Sequence, residues 1–195
     1  MIVLRIIACT LLLMIGWMSF VQAGDGATAP DQIIMLFLKV ITYDQSFEFD
    51  STKTVTIYLP YERSNAASYE QFRAAQKFFD NNKKLTVEGA RVCFVPFPVD
   101  ENDSSLNRRE AADYGILLVT DLSDVSVRRL LDSGASAGLR SFSLDPALLP
   151  LGIAVSVRAG EKKNSIVVNL AKAQREGAHF ATPLLKMCEI YEEPS

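Results

Sequence analysis

The residue types that carry most protein chemistry are scarce in this chain. His179 is its single histidine, so a histidine metal site, or Ser-His-Asp or Cys-His machinery, would have to be built on that one side chain. It stands in Gly177-Ala178-His179-Phe180, a turn between two expected short helices where a solvent-facing imidazole is the ordinary outcome. One titrating group without partners makes a poor site. No GxGxxG or GxxxxGKS/T follows an expected strand. The segment Gly134-Ala135-Ser136-Ala137-Gly138 comes after a helix and before a strand, the reverse of a phosphate cradle. Asp100, Glu101 and Asp103 cluster in a polar loop, and Asp121 and Asp124 stand at the end of an expected strand. Paired carboxylates can do acid–base work or hold a hard cation. A solvated loop accounts for the first group, however, and a helix cap for the second. These residues describe a chain that is not an enzyme, with no catalytic residues, no cofactor and no metal.

The two ends and the charge narrow the setting. Residues 1–23 read as a cleavable export signal: Arg5 supplies the positive start, 6–20 is an apolar run, and Val21-Gln22-Ala23 offers small residues at the cleavage positions. An uncleaved anchor is the alternative, but it usually needs roughly 20 apolar residues. Residues 24–29 form a short flexible leader, and 30–195 a single domain. With 20 basic against 23 acidic residues, the chain is mildly acidic and has no electrostatic footprint for nucleic acid. Of its three cysteines, Cys93 and Cys188 survive cleavage, an even number that suits an oxidising compartment without proving one. They lie far apart with no CxxC or metal spacing. Both fall on apolar positions, where unpaired, inert thiols are common; a bridge would need their Cα atoms within about 7 Å.

The elements that must position these residues alternate between strand and helix. A helix over 30–43 places Ile33, Ile34, Leu36, Phe37, Leu38, Val40 and Ile41 on an arc of roughly 200°, wider than a surface helix needs. Lys39, Thr42 and an exposed Met35 fill the remainder. Either this helix is buried between the sheet and a neighbour, or its surplus apolar surface meets a partner. Strands are expected at 55–59, 92–95 and 116–119. The last two are unbroken apolar runs that suit parallel strands covered on both faces. Helices are expected at 68–79, with Ser68 and Gln71 as a capping box, at 106–112, and from Ser123 or Asp124 to 131. Gly134 and Gly138 then break the chain. A hairpin pairs 153–157 with 165–169 across a turn-rich loop. Gly177 stops a short helix, and a final helix from Thr182-Pro183 carries Leu184, Leu185, Met187, Cys188 and Tyr191 on its apolar face. The resulting fold class is α/β, a three-layer sandwich with a mostly parallel sheet, a C-terminal hairpin and terminal helices. In open α/β sheets ligands bind beyond the carboxyl ends of the strands, so Pro60, Phe97 and Asp121 would rim any pocket.

Toward the C-terminus the residues become more specific. Ile166-Val167-Val168-Asn169-Leu170-Ala171, Glu176-Gly177-Ala178-His179-Phe180 and Leu184-Leu185-Lys186-Met187 closely resemble the closing motif of the YfiR family. Lys39-Val40-Ile41-Thr42-Tyr43-Asp44 resembles the Lys-x-x-x-Tyr-Asp segment of one branch. Gly115-Ile116-Leu117-Leu118-Val119 and Leu151-Gly152-Ile153-Ala154-Val155 match its central strands. The resemblance implies a non-enzymatic periplasmic regulator that binds and restrains an inner-membrane diguanylate cyclase, lowering cyclic-di-GMP signalling, or that serves a membrane sensor kinase. Two positions depart from the pattern. Gln45 stands where the branch usually has Arg, and fewer cysteines remain than in well-described members, which argues against redox gating here. Met35, Leu36 and Lys39 are the candidate partner interface, with a homodimer the other use of that surface. The alternative function is a small periplasmic solute-binding protein.

Overall fold

Strands that are apolar on both faces need cover on both sides, and this chain supplies it. The computed structural model describes residues 30–99, 112–136, 138–158 and 164–192. The parallel strands are β1 (Thr54–Tyr61), β3 (Ala90–Pro98), β4 (Tyr114–Val119), β5 (Arg140–Ser143) and β6 (Val155–Arg158). β2 (Thr86–Val87) runs antiparallel to β3 at one edge, and β7 (Ser165–Val168) antiparallel to β6. β8 (Glu189–Ile190) lies parallel to β7 and closes the other edge, giving the order β2-β3-β1-β4-β5-β6-β7-β8.

Alternation along the strands divides the core. Val55, Ile57 and Leu59 of β1, with Ile116 and Leu118 of β4, join α1 (Pro30–Ile41), α2 (Ala66–Asn81) and parts of α4 (Leu170–Arg175) and α5 (Thr182–Leu185). Tyr58, Leu117 and Val119 point the other way, into a second cluster with Val127, Leu130 and Leu131 of α3 (Asp124–Ser136). Two clusters separated by one sheet make the expected three-layer α/β architecture, with the hairpin β6–β7 in place.

Several local expectations shift, each for a local reason. The N-cap of α2 is Asn65, whose extended backbone (φ −98°, ψ 109°) lets its side chain accept from the Ser68 N–H at 3.3 Å. Ser68 therefore lies inside the first turn, fully buried, its hydroxyl accepting from the Glu62 N–H. α3 runs through Gly134, and the break falls at Gly138, whose φ of +69° suits glycine. The final helix is a single turn. Thr182 begins it rather than capping it, and Ala181 at the cap has no side chain to offer. The chain then turns into β8, so Met187 is 64% exposed and Cys188 follows the helix instead of lining its face. The 3-10 helix Pro146–Leu151 was not expected. Residues 1–29, the acidic loop at 100, 101 and 103, and the helix expected at 106–112 (save residue 112) lie outside the described residues.

A buried charge joins distant parts of the chain at the amino ends of β4 and β5. The Asp44 carboxyl, its side chain wholly buried, accepts from the Ser46 N–H and hydroxyl, the Tyr114 hydroxyl at 2.8 Å and the His179 N–H at 2.8 Å. Arg140 stands 3.6 Å away and lies over the Tyr114 ring, 4.3 Å from its centroid. Burial pushes this carboxyl up, but the bonds from His179, Ser46 and Tyr114 outweigh it and hold Asp44 below its ordinary value. Nearby Glu176 accepts from the Ser141 N–H and hydroxyl, both at 2.7 Å, and pairs with Lys172 at 3.4 Å. There burial wins and holds the carboxyl above its usual range. Replacing Tyr114 with Phe removes a buried donor from a buried acceptor, so stability should fall by about 1–3 kcal/mol. Urea unfolding should show this as a lower midpoint at unchanged slope.

Candidate functional site

The strand order reverses at β1. The chain passes from β1 through α2 to β3 on one side, then returns across β1 to β4 on the other. Helices leaving the carboxyl ends of β1 and β4 therefore cover opposite faces of the sheet, and the region outside these strand ends is the usual place for a ligand in an open α/β sheet.

Polar side chains converge there. Glu62, the first residue after β1, accepts from the Ser123 N–H (3.3 Å), the Ser123 hydroxyl (2.8 Å) and the Ser126 hydroxyl (2.6 Å). Its carboxylate thus closes the N-terminus of α3, where unpaired N–H groups and the helix dipole favour negative charge. Burial pushes Glu62 up, but hydrogen bonds from Ser126, Ser123 and Asn65 prevail and hold it below its ordinary value. Asn65 donates to the Asp121 carbonyl at 3.0 Å, and the Asp121 N–H donates to Gln71 of α2 at 3.3 Å. Three side chains from the β1–α2 segment therefore grip the loop after β4.

The expected rim residues take different places. Pro60 and Phe97 are register partners on β1 and β3 and both are buried, Phe97 within the α3-side core. They close the edge from within, and Asp121 alone of the three is exposed. Sequence reasoning missed Glu62, Asn65 and Gln71. The available signal was their position just past a strand that ends at the switch point, but their partners lie 50 or more residues away.

On α1, Met35 is 48% exposed and Lys39 exposed, while Leu36 is half-buried against the core. The Lys39 ammonium sits over the Tyr43 ring, 5.6 Å from its centroid. Cys93 and Cys188 are both half-buried, unpaired thiols; burial pushes the Cys188 thiol up. The His179 side chain is exposed, and its contribution is its backbone N–H. Among the described residues no group of three or more His, Cys, Asp and Glu could hold a metal, and no helix is long and apolar enough to cross a membrane.

No family model matches the chain, so the resemblance to the YfiR family rests on the residues quoted for it. No curated protein matches it either. Solved structures do share its fold. A conserved domain protein from Vibrio cholerae aligns with a TM-score of 0.59 at 10% identity, over 86% of this chain and 62% of that one. An open, ligand-free substrate-binding protein with adhesive properties from Clostridium difficile gives 0.53 at 13% identity, over 73% and 55%. The ABC domain in complex with L-Trp from Streptococcus pneumonia gives 0.52 at 14%, over 79% and 59%. The chain spans less than two thirds of each of these proteins. Likeness at such identities establishes the α/β fold.

Because Glu62 is held below its ordinary value, the stability it adds is present above the unfolded carboxylate range. That stability is lost as pH falls through the folded value. Glu62→Gln should lower stability at pH 7 by about 0.5–1 kcal/mol, as for loss of a charged helix cap. The deficit should shrink as pH falls through the folded value, and paired melting curves at pH 7 and in progressively acid buffer measure it.

Proposed function

We propose that this domain is an exported binding protein that takes a small solute at the carboxyl edge of β1, β3 and β4, acting by binding and not by catalysis. The observation that carries this reading is the convergence of Glu62, Asn65 and Gln71 on the β4–α3 loop at the switch point. These bonds hold the loop in place at the edge where a ligand would sit, while the sheet and helices beneath supply a rigid base. The fold gives support as well. Of the solved structures that share it, one is a substrate-binding protein and another holds L-Trp. The export signal expected in residues 1–23 supports a periplasmic setting.

A ligand that binds only the folded protein stabilises it, by about 2.7 kcal/mol at a hundred times its Kd. Thermal shift of the exported protein against amino acids, sugars, polyamines and organic acids should identify at least one class that raises Tm. The shift should shrink in Glu62→Ala. A flat response across all classes counts against the reading.

Met35 favours a second reading. A helix otherwise pressed into the core exposes this apolar side chain beside Lys39, and the chain resembles the YfiR family around that segment. On this reading α1 contacts the periplasmic part of an inner-membrane diguanylate cyclase or sensor kinase, or a second copy of the chain. Favouring the partner's inactive state would shift its population. Met35→Glu should change stability by less than about 0.5 kcal/mol, and it should release the partner, because the new carboxylate must be desolvated in the interface, a cost that Lys39 one turn on offsets only in part. The checks are a melting curve and the cellular cyclic-di-GMP level or kinase output. Unchanged output from a well-folded variant clears this helix of the role.

A further inference from the structure

We propose that Glu176 is a proton-operated clasp on the seam between β5 and β6, drawing the C-terminal hairpin tighter to the sheet when its carboxyl takes up a proton.

This seam is the short joint of the sheet. β5 pairs with β4, and β6 with β7, along its whole length, whereas β5 and β6 pair only at Phe142–Val155 and Ser143–Ser156. One residue before that pairing, side chains replace the ladder. The Ser141 N–H and hydroxyl donate to the two Glu176 oxygens, both at 2.7 Å, and the Ser141 hydroxyl oxygen accepts from the Ala154 N–H at 2.9 Å. From there the bonds run on in a ring. The Ala154 carbonyl accepts from the Asn169 N–H at 2.9 Å, and Asn169 Oδ1 accepts from the Lys172 N–H at 3.0 Å. The Lys172 ammonium then returns to Glu176 at 3.4 Å. One carboxyl thus closes a circuit through β5, β6, the end of β7 and α4. Ser141, Ala154 and Asn169 are each 1% exposed, so the circuit lies away from bulk water, where such a network acts as a unit.

The surroundings of Glu176 set it apart from Asp44. Lys172 faces it from its own helix. Arg140 of β5 reaches its neighbour, with Nη2 3.9 Å from where a Cβ would stand at Gly177. Tyr114 of β4 lies close by and is bonded to Asp44. From β6 and β7, residues 155–157 and 165–168 bring no titratable group. Asp44 has donors enough to stay ionised. At Glu176 burial outweighs the bonds from Ser141 and the charge of Lys172, so the carboxyl takes up a proton more readily than it would in water.

Linkage gives the sign. Opening the seam returns Glu176 to water and to its ordinary value, so closure is accompanied by proton uptake. The resulting gain is complete below the open-state value and is lost as pH rises through the closed-state one. The protonated group also fits the circuit. Its Oε2 still accepts from the Ser141 N–H, and its Oε1 donates to the Ser141 hydroxyl oxygen. Lys172, whose side chain is partly exposed, turns to water.

The test is amide exchange of the exported protein, followed by NMR in neutral and mildly acid buffer and expressed as protection factors. The Ser141 and Ala154 amides are compared with those of Ile57 and Ile116 at the centre of the sheet, so that general acid destabilisation cancels. In the parent, the seam-to-centre ratio should rise severalfold in acid. Glu176→Gln puts a neutral carbonyl and amide N–H where the protonated acid would sit. Its ratio should therefore be high already in neutral buffer and unchanged by acid. Glu176→Ala, which leaves the Ser141 N–H without its acceptor, should be low in both. A parent ratio that stays flat or falls in acid overturns the proposal, as does a Glu176→Gln ratio that still rises. If a variant does not fold, the parent's own titration decides.

Discussion

The Asp44 carboxylate, buried at the amino ends of the central strands, is the interaction on which the arrangement of the chain's two ends depends. A lone charge there would be strongly opposed by lost hydration. It persists because the Ser46 N–H and hydroxyl, the Tyr114 hydroxyl and the His179 N–H all donate to it, with Arg140 alongside. Each of these partners comes with a piece of architecture: the exit from α1, the start of β4, the start of β5 and the turn after α4. Backbone bonds reinforce the joint, from Gln45 N–H to the His179 carbonyl and from Ala181 N–H to the Tyr43 carbonyl. Satisfying one buried charge thereby fixes how the first helix and the last third of the chain meet.

This also gives physical content to two of the segments singled out in the sequence. Tyr43-Asp44 and Glu176 through Phe180 are far apart in sequence, yet Asp44 and Phe180 form a backbone bridge. Glu176 ties the second segment to Ser141 on β5, and Asn169 caps α4. These motif residues act as fasteners for the fold at the amino edge. The carboxyl edge carries a different set, with Glu62 holding the start of α3 and Asn65 and Gln71 holding the loop before it. One edge of the sheet is locked by buried charges, and the other is joined by half-buried loop side chains.

Legibility differed between fold and site. The unbroken apolar runs of β3 and β4, the two apolar strands of the hairpin and the stop at Gly177 are local signals, and each landed on its element. The cap of α2 was misplaced by three residues because Asn65 and Ser68 are both good cap residues by type. Only the backbone at Asn65 chooses between them. Met35 was legible as exposed from helical spacing, whereas half-buried Leu36 was not. Pro60 and Phe97 were correctly placed at the strand ends, but spacing along one strand cannot show that the neighbouring strand and α3 cover them.

The sequence by itself determined the class of architecture, because two-sided apolar strands alternating with helices can bury their surface only as layers. It also determined that any histidine chemistry would rest on His179. Tertiary structure alone decided which polar residues meet. The reversal of strand order at β1 sets Glu62 against Ser123 and Asn65 against the Asp121 carbonyl. Strand order depends on how distant segments share one core, and that competition leaves no mark in the spacing of neighbouring residues.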